Sequence, residues 1–380
     1  MPRSRLSRWL VSLAMAALAA AACEVRADEA RTVPQANILQ FGQRRAMDGL
    51  LRLYKGGKAA GSVVHLGDSH VQVGASTAAL RGRLQQALGA GGLGMIFAYS
   101  AAATYAPEGY KTRHSGTWLH HKGLKLPPKA KLGVLGMTVQ TTEAAAVLGW
   151  QFDAPQQADT LRLYVEATAT SLALTVVVDG TEQHVAIPKR LPPDQPFVSV
   201  PLPARPFSTL ELRTVRQRDS QTQLTFYGLS LHRGHGGVVV HAAGVGGARW
   251  RLLLHEALLL QQLRSLQPSL IVVEFGTNDI LGDDQIKPEL ATEITQAISL
   301  LRAASDHATI VLVSAQDLQR KGRTLDSTVA LSRLLRDVAE QQGVVWWDWL
   351  AVSGGRGALP GWHAAGLARK DLVHLTAAGY

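Results

Sequence analysis

The stretch Gly61-Ser62-Val63-Val64-His65-Leu66-Gly67-Asp68-Ser69-His70 decides how the rest of the chain is read. Its first six residues, GSVVHL, form a short apolar run closed by turn residues, which is the signature of a buried strand. The turn Gly67-Asp68-Ser69-His70 follows, and a helical pattern runs from about Ala75 to Leu88 before the glycine cluster 89–94. The same order recurs later. Leu270–Phe275, Thr309–Ser314 and Val344–Trp347 read as strands, with helices at Pro288–Ala304 and Ser327–Gln342 between them. Gly237–His241 (GVVVH) has the same buried-strand character. Strands alternating with helices predict a parallel sheet covered on both faces.

The middle of the chain differs. Thr160–Val165, Leu172–Val178, His184–Ile187, Phe197–Pro201, Thr209–Val215 and Gln223–Leu231 are β-like runs separated by turns such as Asp179-Gly180 and Pro192-Pro193-Asp194. Short strands at this spacing predict a β-sandwich. The expected fold is therefore α/β, a parallel sheet interrupted by an inserted β-sandwich. The expected divisions are a leader at 1–27, a first α/β part at 28–104, the insertion at 105–236 and a second α/β part at 237–380. Within the first part, one amphipathic helix is expected around Ile38–Tyr54.

Composition limits the rest. The chain has 380 residues, 46% of them hydrophobic and 18% charged, so it is not a disordered protein. At about 150 residues per domain, its length suggests two domains or three. A single cysteine excludes a disulfide framework. Arg3, Arg5 and Arg8 precede an apolar run from Trp9 to about Ala22, the pattern of a secretory signal peptide. Cleavage is expected after Val25-Arg26-Ala27. Ala20-Ala21-Ala22-Cys23 offers an alternative exit with a lipid anchor at Cys23, although Leu is missing from its first position; an uncleaved anchor is a third. Removal of residues 1–27 takes four arginines and Glu24, lowering the net charge from +10 to +7. Lys and Arg are scattered and accompany no nucleic-acid motif, so no nucleic-acid partner is expected. No later run of eighteen apolar residues suggests a membrane span.

Four short motifs carry the chemistry. Ser69 follows a buried strand, where ligands of open α/β sheets bind, although capping the next helix would explain a serine equally well. Asp371-Leu-Val-His374 spaces a carboxylate so that one turn can hold it against an imidazole and leave the other ring nitrogen free to take a proton, although a pair on a surface helix would have the same spacing. Asn278, in Gly276-Thr277-Asn278-Asp279, can donate to an oxyanion or merely form a turn. Gly244-Val245-Gly246-Gly247-Ala248 lets a backbone N–H approach a ligand closely.

In order, GDSH at 67–70, the glycine-rich turn at 244–248, GTND at 276–279 and DLVH at 371–374 resemble the four blocks of the SGNH (GDSL-type) hydrolase superfamily. The resemblance covers about 60–104 and 237–380. The GDSH variant, the insertion and the tail WWDWLAVSGG…GWHAAGLARKDLVHLTAAGY are similar to bacterial peptidoglycan O-acetylesterases. The resemblance implies a flavodoxin-like sheet, no cofactor, and an O-acetylated glycan, peptidoglycan first among them, as substrate. Ser69 is then the nucleophile, His374 the base and Asp371 its partner. Asn278 and the N–H of Gly247, or of its neighbour Gly246, would join the N–H of Ser69 in the oxyanion hole. Two features depart from the pattern. The second block lacks its frequent leading Asn. The sequence ends six residues past His374, which leaves either a weakly anchored loop or a chain that continues past Tyr380.

Other signals carry less. Gly89-Ala-Gly91-Gly92-Leu-Gly94 follows a helix rather than a strand and is read as a helix stop, not a dinucleotide loop. His114, His120, His121, His232 and His235 lack carboxylates at ligand spacing, so no metal site is expected. Trp346, Trp347 and Trp349 are read as core, with sugar stacking as the alternative, and Asp348 is a weaker candidate than Asp371. The expected function is an exported serine esterase of the periplasm or cell envelope that removes O-acetyl groups from a glycan. Transfer of acetyl to a sugar hydroxyl, or an inactive glycan-binding protein, are the alternatives.

Overall fold

Residues 37–380, apart from Lys58, His235 and Glu256, are described in a computed structural model. The expected leader 1–27 and Cys23 lie outside the described residues.

The chain enters along the edge of a sheet. Gln40 exchanges two backbone hydrogen bonds of 2.8 Å with Trp346. A single turn of 3-10 helix at Arg44–Met47 leads into the helix Asp48–Lys55, shorter than the expected Ile38–Tyr54. Ile38 and Phe41 are exposed, and the segment is extended instead, paired with Trp346 while Leu39 packs against the core. Strand β1 (Gly61–Gly67), the short helix Ser69–Gln72, the helix Ala75–Leu88 and β2 (Gly94–Ile96) follow. Ten further strands then run without a long helix: β3 (Tyr110–Ser115), β4 (Leu119–Lys122), β5 (Met137–Thr141), β6 (Val147–Gln156), β7 (Thr160–Val165), β8 (Ala173–Val178), β9 (Thr181–Val185), β10 (Val198–Pro201), β11 (Phe207–Val215) and β12 (Leu224–His232). The alternation returns with β13 (Val238–Gly244), the helix Ala257–Ser265, β14 (Leu270–Glu274), the helix Leu290–Ala304 and β15 (Thr309–Val313). A ribbon of β16 (Gln319–Arg320) and β17 (Arg323–Thr324), the helix Ser327–Gln342 and β18 (Val345–Trp347) complete the sheet elements.

Strands β13-β1-β14-β15-β18 form one sheet in that order, every neighbouring pair parallel. Counting only these five strands, the order is 2-1-3-4-5, the flavodoxin-like arrangement. Val63 and Val64 are both fully buried and point to opposite faces, so both faces of the sheet are covered. Burial of each such side chain contributes about 1.5–3 kcal/mol. On one face Val63, Val238, Val240, Val311 and Val345 pack with Leu50 and Leu53 of the first helix and with Leu84 and Leu88 of the next.

The intervening strands form two antiparallel sheets, β10-β7-β12-β5-β4 with β2 beside β12, and β3-β6-β11-β8-β9. Trp150 of β6 meets Phe226 of β12 with ring centroids 6.0 Å apart, and its indole N–H donates to the carbonyl of Phe97 at 2.9 Å. The antiparallel region begins earlier than residue 105, because Gly94–Ile96 already pairs with Leu229–Leu231. The core is also shared. One hydrophobic cluster runs from Ile271 and Val273 of the parallel sheet through Phe97 to Phe226, Trp150 and Leu212.

Candidate active site

The parallel register sets the geometry of the site. Gly67 lies opposite Gly244 on one side and Glu274 on the other. The turns holding Ser69, Gly246-Gly247 and Asn278 therefore leave three adjacent strands at one edge, where the sheet order reverses and ligands of such folds bind. Glycine is required there sterically. A Cβ on Gly244 would stand 2.1 Å from the backbone nitrogen of Gln72.

Ser69 opens the helix Ser69–Gln72 and is 8% exposed. Its hydroxyl lies 2.8 Å from His374 Nε2, across 305 residues of sequence. His374 Nδ1 lies 2.8 Å from Asp371 Oδ2. The Asp371–His374 pair is not on a helix. Asp371 Oδ1 accepts the backbone N–H groups of Val373 and His374, both at 3.0 Å, so the carboxylate folds its own loop while its other oxygen aligns the ring. Burial raises the Asp371 carboxyl, but the hydrogen bonds from His374 and Val373 outweigh it and hold the group below its ordinary value.

The loop is well anchored, contrary to one of the expectations. Gln319 N–H donates to Leu372 O at 2.9 Å, Gln316 Nε2 to Val373 O at 2.6 Å, and Arg369 N–H to His374 O at 2.8 Å. Tyr380 returns to the centre of the site, its hydroxyl 2.6 Å from His70 Nδ1.

The glycine turn separates two candidates that its sequence left together. Gly246 N–H donates to Gln72 Oε1 at 2.6 Å, whereas Gly247 N–H has no partner among the described residues. Gln72 is fixed in turn by Thr104 Oγ1 at 3.1 Å and Tyr105 O at 2.8 Å. Gly247 has φ of 87°, the left-handed region that favours glycine. Ser69 N–H is also without a partner among the described residues.

Asn278 is not free. Its amide donates to Ala248 O at 3.0 Å and to Asp68 Oδ2 at 3.3 Å, the second being the longer bond. Asp68 is fully buried, and burial together with Glu274 and Asp279 pushes its carboxyl well above the ordinary value despite the bond from His70 N–H. A carboxyl driven toward its neutral form competes less strongly for the Asn278 hydrogen than a carboxylate does. That hydrogen is the one an oxyanion could take.

Several neighbours of the site carry no motif signal. Asp68 and His70 looked like turn residues, and their burial could not be seen from spacing. Tyr105 and Leu124 are among the exposed large hydrophobic side chains, and both approach this turn. A Cβ on Gly246 would lie 3.6 Å from Tyr105 Oη and 3.8 Å from Ser69 Cβ, and one on Gly247 would lie 3.2 Å from Leu124 Cδ2. Other candidates lie elsewhere. Asp348 accepts Ser314 Oγ, Ser332 Oγ and Ala351 N–H and caps a short helix. Trp346 is buried, and Trp347 stacks on Trp349 at 5.3 Å. No group of three or more metal-ligating side chains occurs among the described residues. Among these residues, no helix is long and apolar enough to cross a membrane.

The fold and the order of these motifs resemble those of the SGNH (GDSL-type) hydrolases. Residues 214–380 match the GDSL-like Lipase/Acylhydrolase family; Ser69 precedes the matched segment. The fold as a whole resembles a solved peptidoglycan O-acetylesterase, with a TM-score of 0.71 at 19% identity over 90% of this chain and 94% of that one. A family two carbohydrate esterase from Cellvibrio japonicus aligns at 12% identity and a TM-score of 0.25, covering 63% of this chain and 89% of that one. Among curated proteins, none matches the sequence.

Proposed function

We propose that the protein is an exported serine esterase that removes O-acetyl groups from a cell-envelope glycan, with peptidoglycan as the leading substrate. The observation that carries the chemistry is the continuous line Ser69 Oγ, His374, Asp371, with both contacts at 2.8 Å. His374 Nε2 takes the proton as Ser69 Oγ attacks the acetyl carbonyl, and Asp371 steadies the imidazolium. The oxyanion is met by the N–H groups of Ser69 and Gly247 and by the Asn278 hydrogen released from Asp68. His374 returns the proton to the departing sugar oxygen, then deprotonates the water that frees acetate from Ser69.

The substrate reading is supported by likeness in fold to a peptidoglycan O-acetylesterase and by the shallow site. Asp371 is half-exposed and Tyr105 and Leu124 are exposed, so a polymer can lie across the turn while only its acetyl group reaches buried Ser69. Location in the periplasm or envelope rests on the basic, then apolar, leader, with Cys23 as a lipid attachment point in the alternative processing.

The test compares the purified protein with Ser69→Ala for acetate release from O-acetylated peptidoglycan and from a small acetyl ester. Release by the parent and its loss in the variant is the expected result. Glycan binding with no release from either substrate would refute the esterase. Acetylated sugar acceptor with little free acetate would identify a transferase instead.

A further inference from the structure

We propose that His70 is a positioning residue whose ring forms the platform for His374 and steadies its protonated form. The inference rests on the reading of Ser69 and His374 as nucleophile and base. The two imidazoles stack with centroids 5.2 Å apart and planes inclined by 29°. His70 is 1% exposed and fastened on several sides. Its backbone N–H donates to Asp68 Oδ1 at 3.0 Å, Nδ1 pairs with the Tyr380 hydroxyl at 2.6 Å, and the ring nitrogens lie 3.4–3.5 Å from Gln316 Nε2. The same Gln316 amide group donates to Val373 O, next to His374. Gln316 thus joins the serine turn, the segment after β15 and the residue before His374.

Charge decides what the stack does. Glu274 and Asp371 favour a cation at His70, while His374 disfavours one; burial outweighs all three and lowers its pKa to about 4. Asp68 beside it is driven toward neutrality, and burial holds the Tyr380 phenol far above its usual range, so Tyr380 faces the ring uncharged. Arg369 and Lys370 lie on the His374 loop and are exposed. At neutral pH His70 is therefore an uncharged aromatic face, and such a face attracts a cation placed over it. His374 becomes that cation in both the acylation and the deacylation step. Two charged imidazoles at this separation would repel each other.

His70→Leu removes the ring, whereas His70→Phe keeps a face but loses the Tyr380 bond. Rates on a small acetyl ester are measured from about pH 5 to about pH 9, with melting temperatures recorded alongside. In His70→Leu, kcat is expected to fall roughly tenfold with little change in KM. The acid limb is expected to move down by about 0.5–1 pH unit, because the imidazolium loses a stabilising neighbour. His70→Phe is expected to recover most of both effects. Equal acid limbs in all three folded proteins, or a loss in the Phe variant as large as in the Leu variant, would overturn the proposal. Acetate release surviving Ser69→Ala would instead overturn the esterase reading, so the two failures are distinct.

Discussion

Replacing Asp371 by Asn isolates the carboxylate's effect on the base from its effect on the loop. Oδ1 of the Asn can still accept the N–H groups of Val373 and His374, which Asp371 holds at 3.0 Å, so the loop is retained. The amide NH2 then faces His374 Nδ1 where the carboxylate oxygen sat at 2.8 Å. Two losses follow. A hydrogen bond to a charged partner, worth about 1.5–3 kcal/mol, is no longer available to the imidazolium. The amide also donates into Nδ1 and favours the tautomer whose Nε2 carries a proton toward Ser69; reversing this costs about 1 kcal/mol more. Because the Asp371 side chain is 48% exposed, solvent screening favours the lower end of the range. The sum is about 2.5 kcal/mol, on the order of a hundredfold in kcat. Steady-state acetate release from an aryl acetate measures it, with a melting curve as the control for folding. Activity within about threefold of the parent, in a protein with an unchanged acid limb, would refute Asp371 as the partner of His374. Asp348→Asn is the companion control: its carboxylate holds Ser314, Ser332 and the Ala351 N–H, so it should lower the melting temperature and leave the pH profile in place.

Asn278→Ala removes the side-chain donor and should lower kcat by roughly a hundredfold or more, with KM for a small acetyl ester little changed. Gly247→Ala places a Cβ 3.2 Å from Leu124 Cδ2 on a residue with φ of 87°; a cost of about 1 kcal/mol in stability and a roughly tenfold lower kcat are expected from melting and rate measurements. Trp150→Ala empties a nearly fully buried site and orphans the Phe97 carbonyl, so denaturant titration should show a loss of about 3–5 kcal/mol. On the acid side, Asp371 has a depressed pKa. Its stabilisation of the loop is thus fully present above the ordinary carboxylate value of about 3.9 and is lost as pH falls through the lower folded value. Protection of the Val373 and His374 amides, measured against the unstructured exchange rate at each pH, should hold down to about pH 4 and fall at lower pH.

What could be read from the chain follows from where burial leaves a trace in residue type. The parallel strands are continuous apolar runs because both faces are covered, and GSVVHL, LIVVEF and GVVVH show this directly. Strands β3 and β4, YKTRHS and LHHK, carry polar and charged side chains, most of them exposed or half-buried, and give no such signal. They are strands because their neighbours β6 and β5 supply hydrogen-bonding partners, a fact of topology rather than composition. The Asp371–His374 pairing was legible because it is local, three residues within one turn. That Ser69 would meet His374 was legible only through the order of the four motifs, since local chemistry does not close a gap of 305 residues.

The remaining gap concerns the residues that turn these groups into a working set. Asp68 and His70 flank Ser69, the proposed nucleophile, in a Gly-Asp-Ser-His turn, where polar residues ordinarily face water. Here both are buried, and burial drives both toward their uncharged forms. The consequence is opposite in chemical type but shared in effect. A carboxyl that sheds its charge loosens its hold on Asn278, and an imidazole that sheds its charge can lie against the cation forming on His374. The fold achieves this by placing the turn beneath residues from four distant segments: Glu274, Gln316, the 371–374 loop and Tyr380. A serine, a histidine and an aspartate at these spacings state which atoms the proposed esterase would use. The buried pair beside them sets the charge that each reacting atom meets.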